Sequence, residues 1–218
     1  MIPNRIKTIF FDYDGTLHNG IKIYAAAFRE AYSYLVENCY AEPREWTEDE
    51  ISYWLGFSPL EMWNRFMPDI PQETKIVCSG IISSTMKALT EDGKAVLYSG
   101  SIDVLSYLKE KGYHLIFISN CKSYYKEAHN RMFHLDSYFE ELIATEDYGF
   151  LPKNEILRSI KDRYEADIAI VGDRFQDIEA GKDNGILTIG CSYGYGSASE
   201  LQDADIIIGD ILELKNIL

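Results

Sequence analysis

The spacing of hydrophobic and polar residues changes along the chain, and each change predicts a different element. Residues 6–11 form a short apolar run, rich in β-branched and aromatic side chains, which predicts a buried strand. Residues 21–90 show helical spacing instead, with helix starts predicted behind Thr47 and at Ser58-Pro59. This long stretch has no convincing strand pattern, so it predicts an all-helical block.

Beyond residue 100 the chain alternates between helical and strand patterns. Helices are predicted at 101–111, 122–132, 153–163 and 175–184, and strands at 114–118, 141–144, 168–171, 186–189 and 206–208. Such alternation predicts a parallel sheet with helices on both faces. The expected fold class is α/β: a Rossmann-like three-layer parallel sheet core of residues 1–16 and 93–218, with an α-helical domain of residues 17–92 inserted after the first strand.

Composition narrows the classes of function. The 218 residues carry a net charge of −14, which repels phosphate backbones and argues against nucleic-acid binding. The four cysteines show no CxxC pairing, so neither a zinc site nor a disulfide framework is indicated. No apolar run is long enough for a membrane span and the N-terminus has no signal-peptide pattern, so we expect a cytoplasmic protein without a membrane partner. Monomer and homodimer both stay open.

Polar residues follow three of the predicted strands directly. Asp12 and Asp14 follow the first, Ser119-Asn120 ends the next, and Gly172-Asp173 follows strand 168–171. The carboxyl ends of parallel strands share one edge of a sheet, and ligands bind in the crevice there. Topology therefore predicts that these residues converge.

The aspartates indicate a metal. Asp12, Asp14 and Asp173 would bring three carboxylates close together, and their repulsion needs a divalent cation. Oxygen ligands with waters suit Mg²⁺. Gly15 permits a sharp turn after Asp14, and the Thr16 hydroxyl can hold that turn.

A metal beside a carboxylate suits phosphoryl transfer. Asp12 can act as nucleophile and form an aspartyl-phosphate. Asp14 can protonate the departing alkoxide if neighbouring carboxylates raise its pKa, and can then deprotonate the water that hydrolyses the intermediate.

Other residues supply positive or polar partners for a phosphate. The Ser119 hydroxyl and the free N–H groups of the helix from about residue 122 would face it. Lys153, at the head of a helix, would neutralise both the nucleophile and the phosphate. Asp177 would hold a metal-bound water or orient Lys153. The Gly194-Tyr195-Gly196 segment is typical of a flexible turn, not of a nucleotide cradle.

Taken in order, four motifs resemble those of the haloacid dehalogenase superfamily of phosphatases. They are the run Asp12-Tyr13-Asp14-Gly15-Thr16-Leu17, the strand ending Ser119-Asn120, Lys153, and the run from Gly172-Asp173 to Asp177. The resemblance spans nearly the whole chain. It implies an Mg²⁺-dependent phosphatase in which each motif has a role.

The resemblance assigns those roles residue by residue. Asp12 is implied as nucleophile and metal ligand, and Asp14 as acid/base that ligates the metal through its backbone carbonyl. Asp173 is implied as a further metal ligand. The implied phosphate-binding residues are Ser119, Asn120 and Lys153, and the supporting ones are Thr16, Gly172 and Asp177.

Residues 17–92 are similar to the small helical cap of phosphoglycolate phosphatases and β-phosphoglucomutases. Such caps close over the site, exclude water and select the substrate. Gly56, in a turn between predicted helices, and His18, just past the first motif, are therefore the candidate specificity residues.

The leading hypothesis is a phosphatase acting on a small phosphorylated metabolite. One rival is a sugar phosphomutase of the same fold, although such mutases more often carry valine in place of Thr16. A second rival is a non-catalytic binding or regulatory module. The intact set of motif residues argues against this last reading, because loss of activity usually removes at least one of them.

Overall fold

The computed structural model describes residues 6–164 and 167–218, so the predicted start of the core at residues 1–5 lies outside the described residues. The chain forms two compact units. One comprises the described part of Met1–Asn19 together with Leu97–Leu218, and the other is Gly20–Val96. The divisions fall after Asn19 and Val96, not after residues 16 and 92, because Leu17 and His18 join the first unit. The Tyr98 amide donates to the Leu17 carbonyl (2.8 Å), and His18 forms an isolated antiparallel β-bridge with Leu97.

A six-stranded parallel sheet forms the centre of the first unit. Its strands are β1 (Thr8–Phe11), β2 (His114–Ser119), β3 (Glu141–Ala144), β4 (Ile168–Gly172), β5 (Leu187–Cys191) and β6 (Ile206–Ile208), in the order β3-β2-β1-β4-β5-β6. Every neighbouring pair is parallel. The central strand β1 lies between β2 and β4, so the residues that follow these three strands meet at one edge. The predicted α/β fold is confirmed.

Helices flank this sheet, and the strands are apolar because both of its faces are buried. Numbered after the four helices of the other unit, they are in chain order α5 (Ser101–Glu110), α6 (Ser123–Phe133), α7 (Lys153–Ile160), α8 (Phe175–Asn184), α9 (Ala198–Leu201) and α10 (Leu214–Ile217). Successive strand residues point to opposite faces. Phe10 packs with Leu157 of α7 and Ala180 of α8, whereas the Phe11 ring meets Phe139.

The second unit is all-helical, as predicted. It contains α1 (Ile21–Glu37), α2 (Glu48–Ser52), α3 (Pro59–Phe66) and α4 (Gln72–Glu91), and no strand occurs within Gly20–Val96. Both predicted caps are present: the Thr47 side chain accepts from the Glu50 amide in a capping box, and Ser58 accepts from the Glu61 amide. Within this unit the rings of Phe28, Tyr32, Trp46 and Phe66 pack on one another.

Several element boundaries differ from the predicted ones by a few residues. Helix α7 ends at Ile160, and a 3₁₀ turn at Lys161–Arg163 follows it. Strand β5 begins at Leu187 because the Ile186 amide donates to the Gly181 carbonyl and Gly185 takes a left-handed conformation, which together close the end of α8. Among the described residues, no helix is both long and apolar enough to cross a bilayer.

Candidate active site

The loop after β1 brings Asp12 close to Asp173. The Asp12 amide donates to the Val171 carbonyl (2.9 Å), which continues the pairing of β1 with β4 past the end of the strand. Gly15 has a φ of +91°, and a Cβ there would lie 2.2 Å from Asp173 Oδ2. The buried Thr16 hydroxyl donates to Asp173 Oδ1 (3.2 Å) and lies 3.5 Å from Asp12 Oδ2. The predicted turn therefore brings the first and fourth motifs together.

Three buried carboxylates, from Asp12, Asp173 and Asp177, converge here and are named the carboxylate cluster. Each offers an oxygen, and these oxygens all lie within 4.8 Å of one another. Lys153 Nζ donates to Asp12 Oδ1 (2.5 Å) and to Asp177 Oδ1 (2.7 Å). The sequence predicted Asp12, Asp14 and Asp173 as the three converging carboxylates. This was wrong for Asp14, whose side chain turns towards other partners, while Asp177 completes the group.

Burial dominates the electrostatics of the carboxylate cluster. Burial raises the pKa of Asp12 well above its usual range, against the lowering effect of Lys153, and the charges of Asp177 and Asp173 raise it further. Burial and Asp177 likewise raise the pKa of Asp173 to about 7. Burial disfavours the Lys153 ammonium, but Asp12 and Asp177 outweigh this effect and raise its pKa.

The donor set fits a hard divalent cation. One ammonium lies among three buried carboxylates, so ionisation of all three leaves an excess negative charge that Lys153 alone does not balance. The ligand atoms are all oxygens, which suits Mg²⁺ better than a metal that prefers sulfur or imidazole ligands. The carboxylate cluster could therefore hold a metal ion of this kind.

The segment after β5 packs directly on Asp173, which the sequence did not predict. The Tyr195 amide donates to Asp173 Oδ2 (2.7 Å). A Cβ on Gly194 would lie 2.3 Å from Asp173 Cβ, and one on Gly196 would lie 1.9 Å from the Asp173 carbonyl oxygen. The segment is thus a close-packed support and not the flexible turn that was predicted. Its signal in the sequence was the presence of two glycines, Gly194 and Gly196, in the loop that follows β5.

The predicted phosphate-binding residues lie at the carboxyl ends of their strands or at a helix start. Ser119 ends β2 and is buried, Asn120 follows it and is half-buried, and Lys153 is the first residue of α7. The start of α6 differs from the expectation of free N–H groups. The amide of Ser123, the first residue of that helix, donates to Glu146 Oε2 (2.9 Å).

Asp14 lies against aromatic and imidazole rings. Its Oδ1 accepts a hydrogen bond from the Tyr125 hydroxyl (2.8 Å) and lies 2.7 Å from His18 Nδ1. The His18 ring is fully buried and stacks on Tyr13, with centroids 5.1 Å apart. His18 was predicted as a candidate specificity residue, but its ring lies in the interior, where it contacts Asp14 and Tyr13.

The pKa of Asp14 also departs from the prediction. Burial opposes the charged form, but the hydrogen bond and charge of His18, with the hydrogen bond of Tyr125, hold the pKa of Asp14 below its usual value. The predicted rise assumed carboxylate neighbours, and those neighbours belong instead to Asp12. Asp14 is consequently ionised in the free protein at neutral pH.

Tyr13, His18, Tyr125 and His129 form what we name the aromatic cluster. The Tyr13 hydroxyl and His129 Nδ1 are 2.7 Å apart. Burial lowers the pKa of His129 to about 3, so this ring is neutral at neutral pH and is hydrogen-bonded to the Tyr13 hydroxyl through Nδ1. Sequence reasoning missed Tyr125 and His129. Their only signal was a spacing of four residues on α6, the helix that follows Ser119.

Two glycines were also predicted from the sequence to belong to the site, Gly172 as a supporting residue and Gly56 as a candidate specificity residue. Gly172 ends β4, and a Cβ there would lie 2.2 Å from Asp177 Cγ, which explains why glycine precedes Asp173. Gly56 lies between α2 and α3 of the helical unit with a φ of +91°. This left-handed backbone conformation favours glycine, so the turn between the two helices depends on Gly56. Its part in substrate selection stays a prediction.

Comparison with known proteins identifies the family. The sequence matches the family described as haloacid dehalogenase-like hydrolases over residues 9–191, which includes every motif residue of the site. The chain belongs to this family. The predicted superfamily and the prediction that the chain is a hydrolase are thereby confirmed.

Individual haloacid dehalogenase-like proteins are similar to this chain over most of their length. A phosphoglycolate phosphatase from Haemophilus influenzae is 24% identical over 230 residues, covering 98% of this chain and 99% of that protein. Pyrophosphatase PpaX from Listeria welshimeri is 23% identical over 197 residues, covering 88% and 86%. A solved structure described as "a predicted phosphatase from Clostridium acetobutylicum" has a TM-score of 0.82 at 21% identity, covers 97% of each chain and shares the fold.

Proposed function

We propose that this protein is a magnesium-dependent phosphatase that hydrolyses a phosphomonoester of a small metabolite through an aspartyl-phosphate on Asp12. The observation that carries the proposal is the setting of Asp12. This carboxylate is buried at the carboxyl end of the central strand, 2.5 Å from Lys153 Nζ and next to Asp173 and Asp177. The names of the relatives, phosphoglycolate phosphatase and pyrophosphatase, support phosphate chemistry.

In the first step, an Asp12 carboxylate oxygen forms a bond to the phosphorus of the substrate, and the bond from phosphorus to the ester oxygen breaks. The departing alkoxide takes a proton from Asp14. Asp14 is ionised in the free protein, but a bound phosphate adds negative charge beside it, which raises its pKa and favours the protonated form.

In the second step, a water attacks the phosphorus of the aspartyl-phosphate. Asp14 accepts a proton from that water, the bond between Asp12 and phosphorus breaks, and inorganic phosphate leaves. Ser119, Asn120 and Lys153 hold the phosphate oxygens through both steps. Lys153 also offsets the charge of Asp12, which favours the ionised form that the attack requires.

Asp12 and Asp173 would hold Mg²⁺ through their carboxylates and Asp14 through its backbone carbonyl. Asp177 would support the site and orient Lys153, to which it is bonded. When bound, the ion supplies charge that offsets the phosphate oxygens and orients the group for in-line attack. A local positive site is needed because the net charge of −14 repels an anionic substrate at long range.

The proposed partner is a small phosphorylated metabolite, with neither nucleic acid nor membrane, in a cytoplasmic monomer or homodimer. Residues of the helical unit, Gly56 among them, would select the substrate. Phosphoglycolate and pyrophosphate are the first two compounds to test, because relatives carry those names. Catalytic efficiency across a panel of small phosphorylated metabolites would then rank the substrates.

Hydrolysis of p-nitrophenyl phosphate with Mg²⁺ and with EDTA tests the proposal. We expect turnover with Mg²⁺, almost none with EDTA, and a loss of at least about 10³-fold in Asp12→Asn, which removes the nucleophile. Asp203→Asn, which neutralises an exposed carboxylate, is the matched control and should keep wild-type activity. Metal-independent turnover or an active Asp12→Asn variant would contradict the proposal. Return of the phosphoryl group to a sugar product, without release of phosphate, would identify a mutase.

A further inference from the structure

The two carboxylate oxygens of Asp14 have different surroundings. Oδ1 has two polar partners, the Tyr125 hydroxyl at 2.8 Å and His18 Nδ1 at 2.7 Å. These partners also contact each other, because the Tyr125 hydroxyl lies 3.2 Å from His18 Nδ1. Oδ2 has no hydrogen-bond partner among the described residues. The Oδ1 atom of the proposed acid/base is thus held in place, and Oδ2 is available for proton transfer.

His18 is held in this position although one of its nitrogens is left unsatisfied. Its Nε2 is buried without a hydrogen-bond partner in residues 6–164 and 167–218. An unsatisfied buried donor or acceptor is costly, so the arrangement is not what packing alone would favour. Tyr13 stacks on one face of the ring and His129 meets it edge-on with centroids 4.7 Å apart, which fixes the ring plane. The fold therefore holds His18 Nδ1 beside the Asp14 carboxylate, although this leaves His18 Nε2 without a hydrogen bond.

We propose that His18 and Tyr125 are positioning residues for Asp14. They hold Oδ1 so that Oδ2 is the oxygen that gives the proton to the leaving group and later takes one from water. The inference rests on the proposed function, in which Asp14 is the acid/base, and adds how this chain orients it. General acid catalysis depends on the alignment of the proton with the departing oxygen, so loosening the carboxyl group lowers the rate without weakening substrate binding.

The leaving group gives a direct readout of this role. An alkoxide is a strong base and needs a proton as it departs, whereas p-nitrophenolate is a much weaker base and departs with little help. Loss of a residue that only supports folding or phosphate binding should affect both classes of ester alike. Loss of a residue that positions the acid should affect the alkyl ester more.

The experiment compares Tyr125→Phe with wild type on p-nitrophenyl phosphate and on the alkyl phosphate that wild type hydrolyses fastest. Removing one donor from Oδ1 should lower kcat about tenfold on the alkyl phosphate and less than about twofold on the aryl phosphate, with KM nearly unchanged. Equal losses on the two esters would overturn the inference. It would also fail if wild type hydrolysed the aryl phosphate but no alkyl phosphate in the panel.

Matched variants separate positioning from folding. Tyr13→Phe removes a hydroxyl from the same aromatic cluster, one bonded to His129 and not to Asp14, and should leave the ratio of the two rates unchanged. His18→Asn keeps an amide donor near the place of Nδ1 and should retain more alkyl phosphatase activity than His18→Leu. Thermal unfolding of each variant checks that it is folded at the assay temperature.

A double-mutant cycle tests whether Tyr125 acts through Asp14. In an Asp14→Asn background, Tyr125→Phe should cause no further loss of residual p-nitrophenyl phosphatase or alkyl phosphatase activity, because there is no acid left to position. A second, additive loss would overturn the inference. The two proposals fail separately: an inactive wild type or an active Asp12→Asn variant contradicts the phosphatase, while an active wild type with no leaving-group effect contradicts only the positioning role.

Discussion

Asp12 and Asp14 are separated by one residue, yet their carboxylates enter opposite kinds of environment. Asp12 joins the carboxylate cluster, where burial and two further carboxylates raise its pKa and Lys153 opposes them. Asp14 joins the aromatic cluster, where His18 and Tyr125 outweigh burial and lower its pKa. Two identical side chains can thus take different chemical roles because their partners come from different strands and helices.

The two clusters also differ in how they satisfy their buried polar groups. The carboxylate cluster relies on charge, since Lys153 bonds Asp12 and Asp177 directly. The aromatic cluster relies on hydrogen bonds among its ring side chains, as between Tyr13 and His129, and on their hydrogen bonds to Asp14. Changes to the carboxylate cluster should therefore depend strongly on added cations, whereas a change to the bond between Tyr13 and His129 should not depend on them.

The largest effect on stability is expected from Lys153→Met. It leaves buried carboxylates without their partner, so the free energy of unfolding in EDTA should fall by about 3–5 kcal/mol. Mg²⁺ should restore part of the loss by offsetting the same charges. Lys182→Met, which breaks a half-exposed pair with Asp205, is the control and should cost less than about 1 kcal/mol in urea unfolding. Similar losses in the two variants would contradict this view of the carboxylate cluster.

The raised pKa of Asp173 predicts a specific dependence of stability on pH in EDTA. The folded state holds this proton up to about pH 7, whereas the unfolded chain releases it near 3.8. The folded state therefore binds more protons in this range, and the free energy of unfolding should fall as the pH rises through it, by at most about 4 kcal/mol. Urea unfolding from pH 4 to pH 8 measures the slope.

Asp173→Asn should make that slope shallower, since it removes one titrating group, while Asp12, whose pKa is also raised, keeps a slope in the same direction. Asp14 acts in the opposite direction: its pKa is lowered, so its stabilisation is present above pH 3.8 and is lost only at more acidic pH. A slope that persists unchanged in Asp173→Asn would assign the effect to another group.

An intermediate effect is expected where glycine supports Asp173. A Cβ at position 196 would lie 1.9 Å from the Asp173 carbonyl oxygen, so Gly196→Ala should lower the free energy of unfolding by about 1–3 kcal/mol and weaken stabilisation by Mg²⁺. Gly80, inside α4, has open space around it, and Gly80→Ala should instead raise stability by about 1 kcal/mol. Thermal unfolding of both variants with and without Mg²⁺ makes the comparison.

The smallest effect is expected in the aromatic cluster. Tyr13→Phe removes the buried hydroxyl that is hydrogen-bonded to His129 Nδ1 and should lower the free energy of unfolding by about 1–2 kcal/mol. The loss should be the same with Mg²⁺ and with EDTA, because Tyr13 bonds no member of the carboxylate cluster. A loss that Mg²⁺ reverses would mean that the two clusters are coupled.

Much of the fold and of the carboxylate cluster could be predicted from the sequence. The strand before Asp12, the strand before Asp173 and the helix start at Lys153 are local patterns, and the parallel-sheet rule brings them to one edge. Thr47 and Ser58 likewise mark helix starts, because capping depends on side chains within four residues.

The aromatic cluster could not be predicted in this way. Whether Asp14 turns towards Asp173 or towards Tyr125 depends on side-chain directions in a buried loop, which strand order does not determine. The pKa error followed from this, since a carboxylate neighbour raises the pKa and a histidine neighbour lowers it. The support of Asp173 by Tyr195 was missed for a related reason: a backbone amide acts there, and a backbone amide has no residue-type signature.

The central position of β1 has a consequence for the order in which the protein becomes active. Thr8 pairs with His114 on one side and with Ile168 on the other, so β1 is synthesised well before the two strands that pair with it. Contacts of such long sequence separation form late and slow folding. Asp173 then receives a hydrogen bond from Tyr195, further along still. A chain emerging from the ribosome therefore carries Asp12 long before the site can assemble, because assembly waits until residue 195 has emerged.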